Sequence, residues 1–367
     1  MPKYLICQVF LFGYCLPFIN IYGQGEQGTS EIPAVEPNVV QIRTNHKKTT
    51  VRFVFYNVEN LFHPSDDSIK IDEAFTPGGQ YYWTYKRYYL KINKLGKLFV
   101  AIGEGNMPAI IGLCEIENHK VINDILNKSV MKYCSYKAIH KESPDLRGID
   151  VALLYDPLQF KAFKFDFIRI NDSRFPDLKT RDILHVSGIL FESILCHVFI
   201  NHWPSRRGGQ MASEAKRIIA AKKLKQVVDS LFDHDPASNI IIMGDFNDEP
   251  INSSLAKILK AGDPQAKEDS SSLINLMYPL YKKGSGTHFR VNNITEASVL
   301  DQIIVSSSMS YGENGLKLLD EVAHIYKNEF LMNKKNGRPL RTYQGLKYLG
   351  GFSDHLPVYA DFQMVIK

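Results

Sequence analysis

From Thr50 onward, short runs of β-branched and aromatic residues alternate with two stretches whose apolar positions recur every three or four residues. The first pattern marks strands and the second marks amphipathic helices. Strands are predicted over "VRFVFY", "AIIGLC", "DVALLY", "LHVSGILFE", "ILCHVFI", "NIIIMG", "VLDQIIVS" and "LPVYADF". Several of these are apolar on both faces, as strands held between two layers are. Tyr85, Tyr88, Ile92, Leu95, Phe99 and Ile102 form one helical stripe, and Ile218, Ala221, Leu224, Val228 and Leu231 form a second. Before Thr50 the pattern is different. Lys3, an apolar run broken by Pro17 and Asn20, and the small residues Gly23 and Gly25 read as a signal peptide over 1–24. Residues 25–49 lack periodicity and carry prolines, which reads as a linker or N-terminal arm. A single domain is expected over 50–367, in an exported protein, periplasmic or secreted.

The polar residues that interrupt this pattern fall at the ends of apolar strands. "FVFYNVEN" ends in Asn57 and Glu59, "IIGLCEIEN" in Glu115, "VFINHWP" in Asn201 and His202, and "IIMGDFND" in Asp245 and Asn247. Asp301 lies inside "VLDQIIVS", and Ser353, Asp354 and His355 directly precede the last strand. An acidic residue after one strand is an ordinary turn former. Repetition at strand after strand points instead to one rim, if the strands run side by side in one orientation. Carboxylates and an amide offer hard oxygen ligands, which suit Mg²⁺, Mn²⁺ or Ca²⁺ better than zinc. His202 and His355 are then left for proton transfer. The set describes metal-assisted attack of water on a phosphorus centre.

Composition narrows the picture further. A chain of 367 residues, 44% of them hydrophobic, can bury a large core. Past the signal peptide only Cys114, Cys134 and Cys196 remain, without a Cys-x-x-Cys unit, so at most one disulfide is expected and a thiolate zinc site is not. The net charge of +5 is modest, but cations bunch in "YKRYYLKINKLGK", "KRIIAAKKLK" and "NKKNGRPLR". Such clusters suit a polyanion, although solvated helix faces look the same. No stretch beyond the leader is long and apolar enough to span a bilayer.

The motifs "NVENLF", "CEIEN", "RGIDVALLY", "NHWPS", "GDFND", "LDQIIVS" and "SDHLPV", in this order across residues 51–362, resemble those of the endonuclease/exonuclease/phosphatase superfamily, which includes pancreatic-type deoxyribonuclease and apurinic repair endonucleases. The resemblance implies a four-layer α/β/β/α sandwich of two mixed sheets. It implies that Glu115 holds the metal, with Asn57, Glu59 and Asp354 beside it or reaching it through water. Asp301 would orient His355 as the proton-abstracting imidazole, and Asp245 would position the attacking water or share that task. Asn247 and His202 would contact phosphoryl oxygens, with His202 a candidate donor to the leaving oxygen. Arg147, Asn201 and Arg206 are further candidates for substrate contact. Glu59 stands where many members of the family carry Asp, and the carboxylate that orients His202 is not identified; Asp150 and Glu142 are candidates. His63, His119, His140, His185, His197, His234, His288 and His324 sit in no motif and read as structural or surface residues.

The substrate follows less directly. The superfamily cleaves DNA, RNA, lipid headgroups, inositol phosphates and nucleotides on similar rims. Asp301 lacks the Pro-x-Trp-x-Asp-Arg context of inositol polyphosphate phosphatases, and no run of aromatics has the layout of a sphingomyelinase hairpin, for which "MYPLYKKGSGTHF" is the nearest candidate. The basic stretch with Arg206, Arg207, Lys216, Arg217, Lys222, Lys223 and Lys225 favours a nucleic-acid backbone. The expectation is therefore a monomeric phosphodiesterase acting on nucleic acid. A sphingomyelinase-like lipid phosphodiesterase and a non-catalytic binding module are the alternatives.

Overall fold

The computed structural model describes residues 50–264, 271–289 and 297–365. The expected signal peptide and arm thus lie outside the described residues. The principal strands are β1 (Thr50–Leu61), β2 (Ile110–Ile116), β3 (Lys137–His140), β4 (Asp150–Tyr155), β5 (Phe160–Ile168), β6 (Ile183–Leu190), β7 (Ile194–His202), β8 (Ile240–Asp245), β9 (Asp301–Ser306) and β10 (Val358–Met364). The longer helices are α1 (Tyr85–Ile102), α2 (His119–Lys128) and α3 (Gln210–His234).

Two mixed sheets result. The first runs β10, β1, β2, β4, β3, with Leu316–Leu318 added at the β10 edge. The second runs β5, β6, β7, β8, β9, extended by Leu273–Asn275 and Ala261–Gly262. Each sheet is centred on a parallel pair, β1 with β2 and β7 with β8, and the neighbours of those pairs are antiparallel. Apolar residues that alternate along the strands are divided between three interfaces. Phe53, Phe55, Leu153, Val198, Ile200 and Met243 fill the space between the sheets. Val54, Tyr56, Ile111 and Leu113 meet the Ile92, Leu95 and Phe99 stripe of α1. Phe199, Ile240 and Ile242 meet Leu224 and Val228 of α3. This is the α/β/β/α sandwich expected from the sequence. The sheets approach closely at Gly112, where a Cβ would come 2.5 Å from Ile200 Cδ1.

Local signals account for most of the elements. Thr84 caps α1 by accepting the Arg87 N–H, and Asn118 caps α2 by accepting the Val121 N–H. Helix α2 is not among the elements expected from periodicity, because ten residues carry only a short apolar stripe. Strand β5 is not expected for another reason: it is an edge strand whose solvent face carries exposed Phe163 and Phe165 among lysines. The buried face of α3 also differs from the expected stripe. It runs through Arg217, Ala220, Ala221, Leu224, Val228 and Phe232, leaving Ile218 and Leu231 half-buried.

Candidate active site

Parallel strands β1, β2, β7 and β8 end at one rim, and the antiparallel strands β9 and β10 begin there. Asp301, the first residue of β9, pairs in register with Asp245, the last of β8. Phe55 of β1 pairs with Val358, three residues after His355. The expectation of polar tips on strands of one orientation is corrected in this respect. The tips come from two sheets, and Asp301 and His355 arrive on strands running the opposite way.

The backbone bends to gather these tips. The β1–β2 register slips between Asn57 and Leu61, and the β2–β4 register slips between Cys114 and Ile116. Bulges of this kind re-aim side chains at strand ends. Glu59, Asn60, Glu115 and Asn247 all take positive φ, from 46° to 64°. Left-handed backbone at a glutamate is strained, and strain of this kind persists where surrounding contacts hold it. Gly351 answers to a similar constraint. A Cβ there would lie 1.9 Å from the Leu340 carbonyl oxygen, so glycine lets the segment before Asp354 pack against residues 340–341.

The side chains converge in one basin. The Asn57 amide donates to Asp245 Oδ2 at 3.0 Å and to Glu115 Oε1 at 3.3 Å. His202 Nε2 lies 3.9 Å from Glu115 and 3.8 Å from Asp245. His355 Nδ1 meets Asp301 Oδ2 at 2.6 Å, and its Nε2 faces Asp245 Oδ2 at 3.9 Å. The Ser353 hydroxyl donates to the Asn57 carbonyl at 2.7 Å and accepts the His355 N–H at 3.0 Å, locking the last loop onto β1.

Electrostatics separate the titrating groups. Burial pushes Asp245 up to about 6, helped by Asp301 and Glu115 and opposed by His355. Burial opposes the charged form of His355, yet Asp301, Asp245 and Asp354 hold its pKa well above the ordinary value. His202 goes the other way, lowered by burial and by Arg181, Arg147 and His355. The two imidazoles are thus pulled in opposite directions, His355 towards the cation and His202 towards the neutral ring. His202 Nδ1 is buried without a hydrogen-bond partner, so its proton belongs on Nε2, which faces the basin.

Several expected contacts are revised. Asn201 is fully buried, its amide donating to the Met243 carbonyl and its oxygen accepting the Trp203 indole N–H. It follows from strand alternation: His202 faces the rim, so its neighbour faces the helix layer. Arg206 donates to the Asn247 carbonyl and to Asn252 Oδ1, fixing the 247–252 loop rather than reaching over the basin. The Asn247 amide is turned to the Trp203 carbonyl, while its backbone N–H donates to Asp245 Oδ1. Arg147 lies half-exposed on the rim, 3.5 Å from Asp145. Neither acid considered for orienting His202 does so. Asp150 faces His140 and accepts from Ser143, and Glu142 faces Lys70. Arg217, counted among the cations of the basic helix, is buried with its Nε 2.8 Å from Asp248.

Three further residues escape sequence reasoning. Arg181 donates to the carbonyls of His202 and Trp203 and to Asp145, holding the backbone beneath the imidazole. His288 packs against His355, ring centroids 4.7 Å apart, and burial brings its pKa down to about 4. Arg341 bridges Asp354 at 2.8 Å and Glu59 at 3.3 Å. No sequence motif marks Arg181 or His288, while Arg341 is legible only as one cation in "NGRPLR".

A divalent cation fits this donor set. Ligand atoms of Asp245, Asp301 and His355 lie within 4.8 Å of one another, as do those of His288, Asp354 and His355. A third such group joins Cys114, His202 and Asp245, a softer donor set than a hard cation takes. The oxygen donors in these groups are Asp245, Asp301 and Asp354, and carboxylates suit a hard cation. Glu115 accepts from the Asn57 amide at 3.3 Å and the Asn60 N–H at 2.6 Å, and Glu59 accepts from Arg341 at 3.3 Å and the Thr342 N–H at 2.6 Å. The Asn57 oxygen accepts the Glu59 N–H.

The family model described as "Endonuclease/Exonuclease/phosphatase family" matches residues 52–364. No curated protein sequence matches the chain. D. rerio TDP2 complexed with single strand DNA product has a similar fold, with a TM-score of 0.52 at 14% identity over 86% of this chain and 99% of that one. The human Nocturnin catalytic domain with bound sulfate anion superposes with a TM-score of 0.51 at 17% identity, over 86% of this chain and 95% of that one. An endonuclease/exonuclease/phosphatase from Bacteroides vulgatus gives 0.52 at 10% identity, over 87% and 100%. With its sandwich, its rim of strand-end acids and histidines, and a family match over nearly the whole described unit, this chain belongs to the endonuclease/exonuclease/phosphatase family of metal-dependent phosphoester hydrolases.

Proposed function

We propose that the protein is an exported phosphodiesterase that hydrolyses the backbone of a nucleic acid. The observation that carries the hydrolytic part is the Asp301–His355 pair at 2.6 Å, with its free Nε2 turned to Asp245. Asp301 holds the ring orientation and stabilises the imidazolium. Asp245, whose Oδ2 faces His355 Nε2 and whose pKa burial pushes up to about 6, takes the proton of the attacking water. The 3.9 Å gap between Asp245 and His355 leaves both within hydrogen-bond reach of one water. His355 and neutral His202 then donate Nε2–H to phosphoryl or leaving oxygens as charge develops there. A divalent cation, Mg²⁺ or Mn²⁺, supplies charge neutralisation at the phosphoryl group when bound at Glu115 and Asp354.

The nucleic-acid part rests on two further points. A protein of similar fold, D. rerio TDP2, is seen with a single strand DNA product. Lys222 of α3 is exposed, and Lys222 and Lys223 line one wall of a groove closed by residues 171–178. Export rests on the sequence of residues 1–24 alone.

The test is hydrolysis of bis-p-nitrophenyl phosphate with and without EDTA, followed by plasmid DNA, RNA and sphingomyelin vesicles. Turnover that EDTA abolishes and Mg²⁺ or Mn²⁺ restores, with cleavage of DNA or RNA, is expected. Cleavage of sphingomyelin with intact nucleic acid would replace this reading with a lipid phosphodiesterase. No turnover on any of them would leave a binding module.

A further inference from the structure

The rim gathers several acids, and Arg341 bridges two of them. Its Nη2 lies 2.8 Å from Asp354 Oδ2 and 3.3 Å from Glu59 Oε1, so one guanidinium ties together acids that are 295 positions apart in the chain (354 less 59). The neighbouring residue completes the clamp. The Thr342 N–H donates to Glu59 Oε2 at 2.6 Å, and the buried Lys91 ammonium donates to the Thr342 hydroxyl at 2.8 Å and to the Glu59 carbonyl. The segment carrying Arg341 is fixed in turn by the Gly351 N–H to the Arg341 carbonyl and the Phe352 N–H to the Leu340 carbonyl. Glutamate at position 59 is suited to this arrangement, since its extra methylene lets one carboxylate meet both Arg341 and the Thr342 N–H.

A guanidinium is always charged and its planar fork matches carboxylate geometry, which makes it a durable substitute for a metal between two acids.

We propose that Arg341 is a resident cation and a positioning residue: it occupies the place between Glu59 and Asp354, restricts the rim to a single divalent ion, and presents Asp354 to that ion. This rests on the metal-dependent reading above but is measured by binding, so a failure of the nucleic-acid assignment leaves it standing. The experiment is Mn²⁺ titration of the full chain without substrate, by calorimetry and by electron paramagnetic resonance of free Mn²⁺. The wild type is expected to bind one ion. Arg341→Met is expected to bind two, and Arg341→Lys to remain at one. Glu59→Gln, which keeps Arg341 but removes one acid, is expected to weaken the single site roughly tenfold or more; this arm decides the matter if Arg341→Met does not fold. Two ions in the wild type, one ion with unchanged affinity in Arg341→Met, or unchanged affinity in Glu59→Gln would each overturn the proposal.

Discussion

One buried histidine at the rim and a buried pair within the second sheet show how one residue type acquires opposite chemistry inside one molecule. At the rim, His355 is surrounded by Asp301, Asp245 and Asp354, which hold it cationic against the cost of burial. In the middle of the second sheet, His185 on β6 and His197 on β7 lie 3.2 Å apart, with Ser187 3.1 Å from His197 Nδ1 and the His185 ring stacked on Phe199 at 4.3 Å. Burial brings His185 down to about 3, with His197 and Lys164 adding to it, and brings His197 down to about 4, with only Asp235 opposing. All three rings are buried, and what sets His355 apart is the ring of Asp301, Asp245 and Asp354 around it.

The largest expected effect lies at the rim. Replacing His355 by Gln, or Asp301 by Asn, should lower kcat/KM on bis-p-nitrophenyl phosphate by about 10²–10⁴, the range of a lost acid–base group. His185→Gln should leave it within a few-fold. A comparable loss in His185→Gln would erase the distinction between the rim histidine and the buried pair.

A smaller effect concerns stability against pH. The folded pKa values of His185 and His197 lie below the ordinary 6.5, so the unfolded chain binds more protons in acid. Their neutral forms therefore support folding above about pH 6.5, and that support is lost as pH falls towards 4. Each tenfold difference in proton affinity between the folded and unfolded chain is worth about 1.4 kcal/mol, so a few kcal/mol of unfolding free energy should disappear over this window. Urea titrations at intervals from pH 7 to 4.5 should show it, and the double replacement His185→Gln with His197→Gln should flatten the slope. His355 has the opposite sign, its raised pKa contributing stability at low pH that is lost on the alkaline side. A steep acid slope that survives in the double variant would assign the loss to other groups.

The smallest effect sharpens the contrast between buried and exposed cations of α3. Lys222→Ala with Lys223→Ala should weaken nucleic-acid binding several-fold and reduce the slope of log K against log salt by about two. An unchanged slope would make the helix an ordinary solvated face. Arg217 cannot take part, since it is buried against Asp248.

How far the site is legible in the sequence depends on whether a residue belongs to a strand end. Glu115, His202, Asp245, Asp301 and His355 stand out because each interrupts or adjoins an apolar run, and such runs must be buried. Arg341 and His288 lie in irregular segments, where no period constrains the position of a side chain. Arg181 precedes β6 but looks like any loop cation until it is seen donating to the carbonyl of His202. Asn201 is overestimated for a related reason: adjacency in a strand places neighbouring residues on opposite faces, so His202 and Asn201 cannot serve the same basin.

Periodicity and motif order were enough to establish the alternating elements, the layered fold and the identity of the acids and histidines at the strand ends. These are local properties, set by spacing along the chain and by the need to bury one face. The remainder exists only once the chain has folded: the opposite electrostatic pulls on His202 and His355, the hold of Arg341 and Thr342 on Glu59, the burial of Arg217 and the clamp of Arg341 on Asp354. Each of those depends on groups well separated in sequence meeting at a few ångströms, where Coulomb energy and desolvation change steeply with distance.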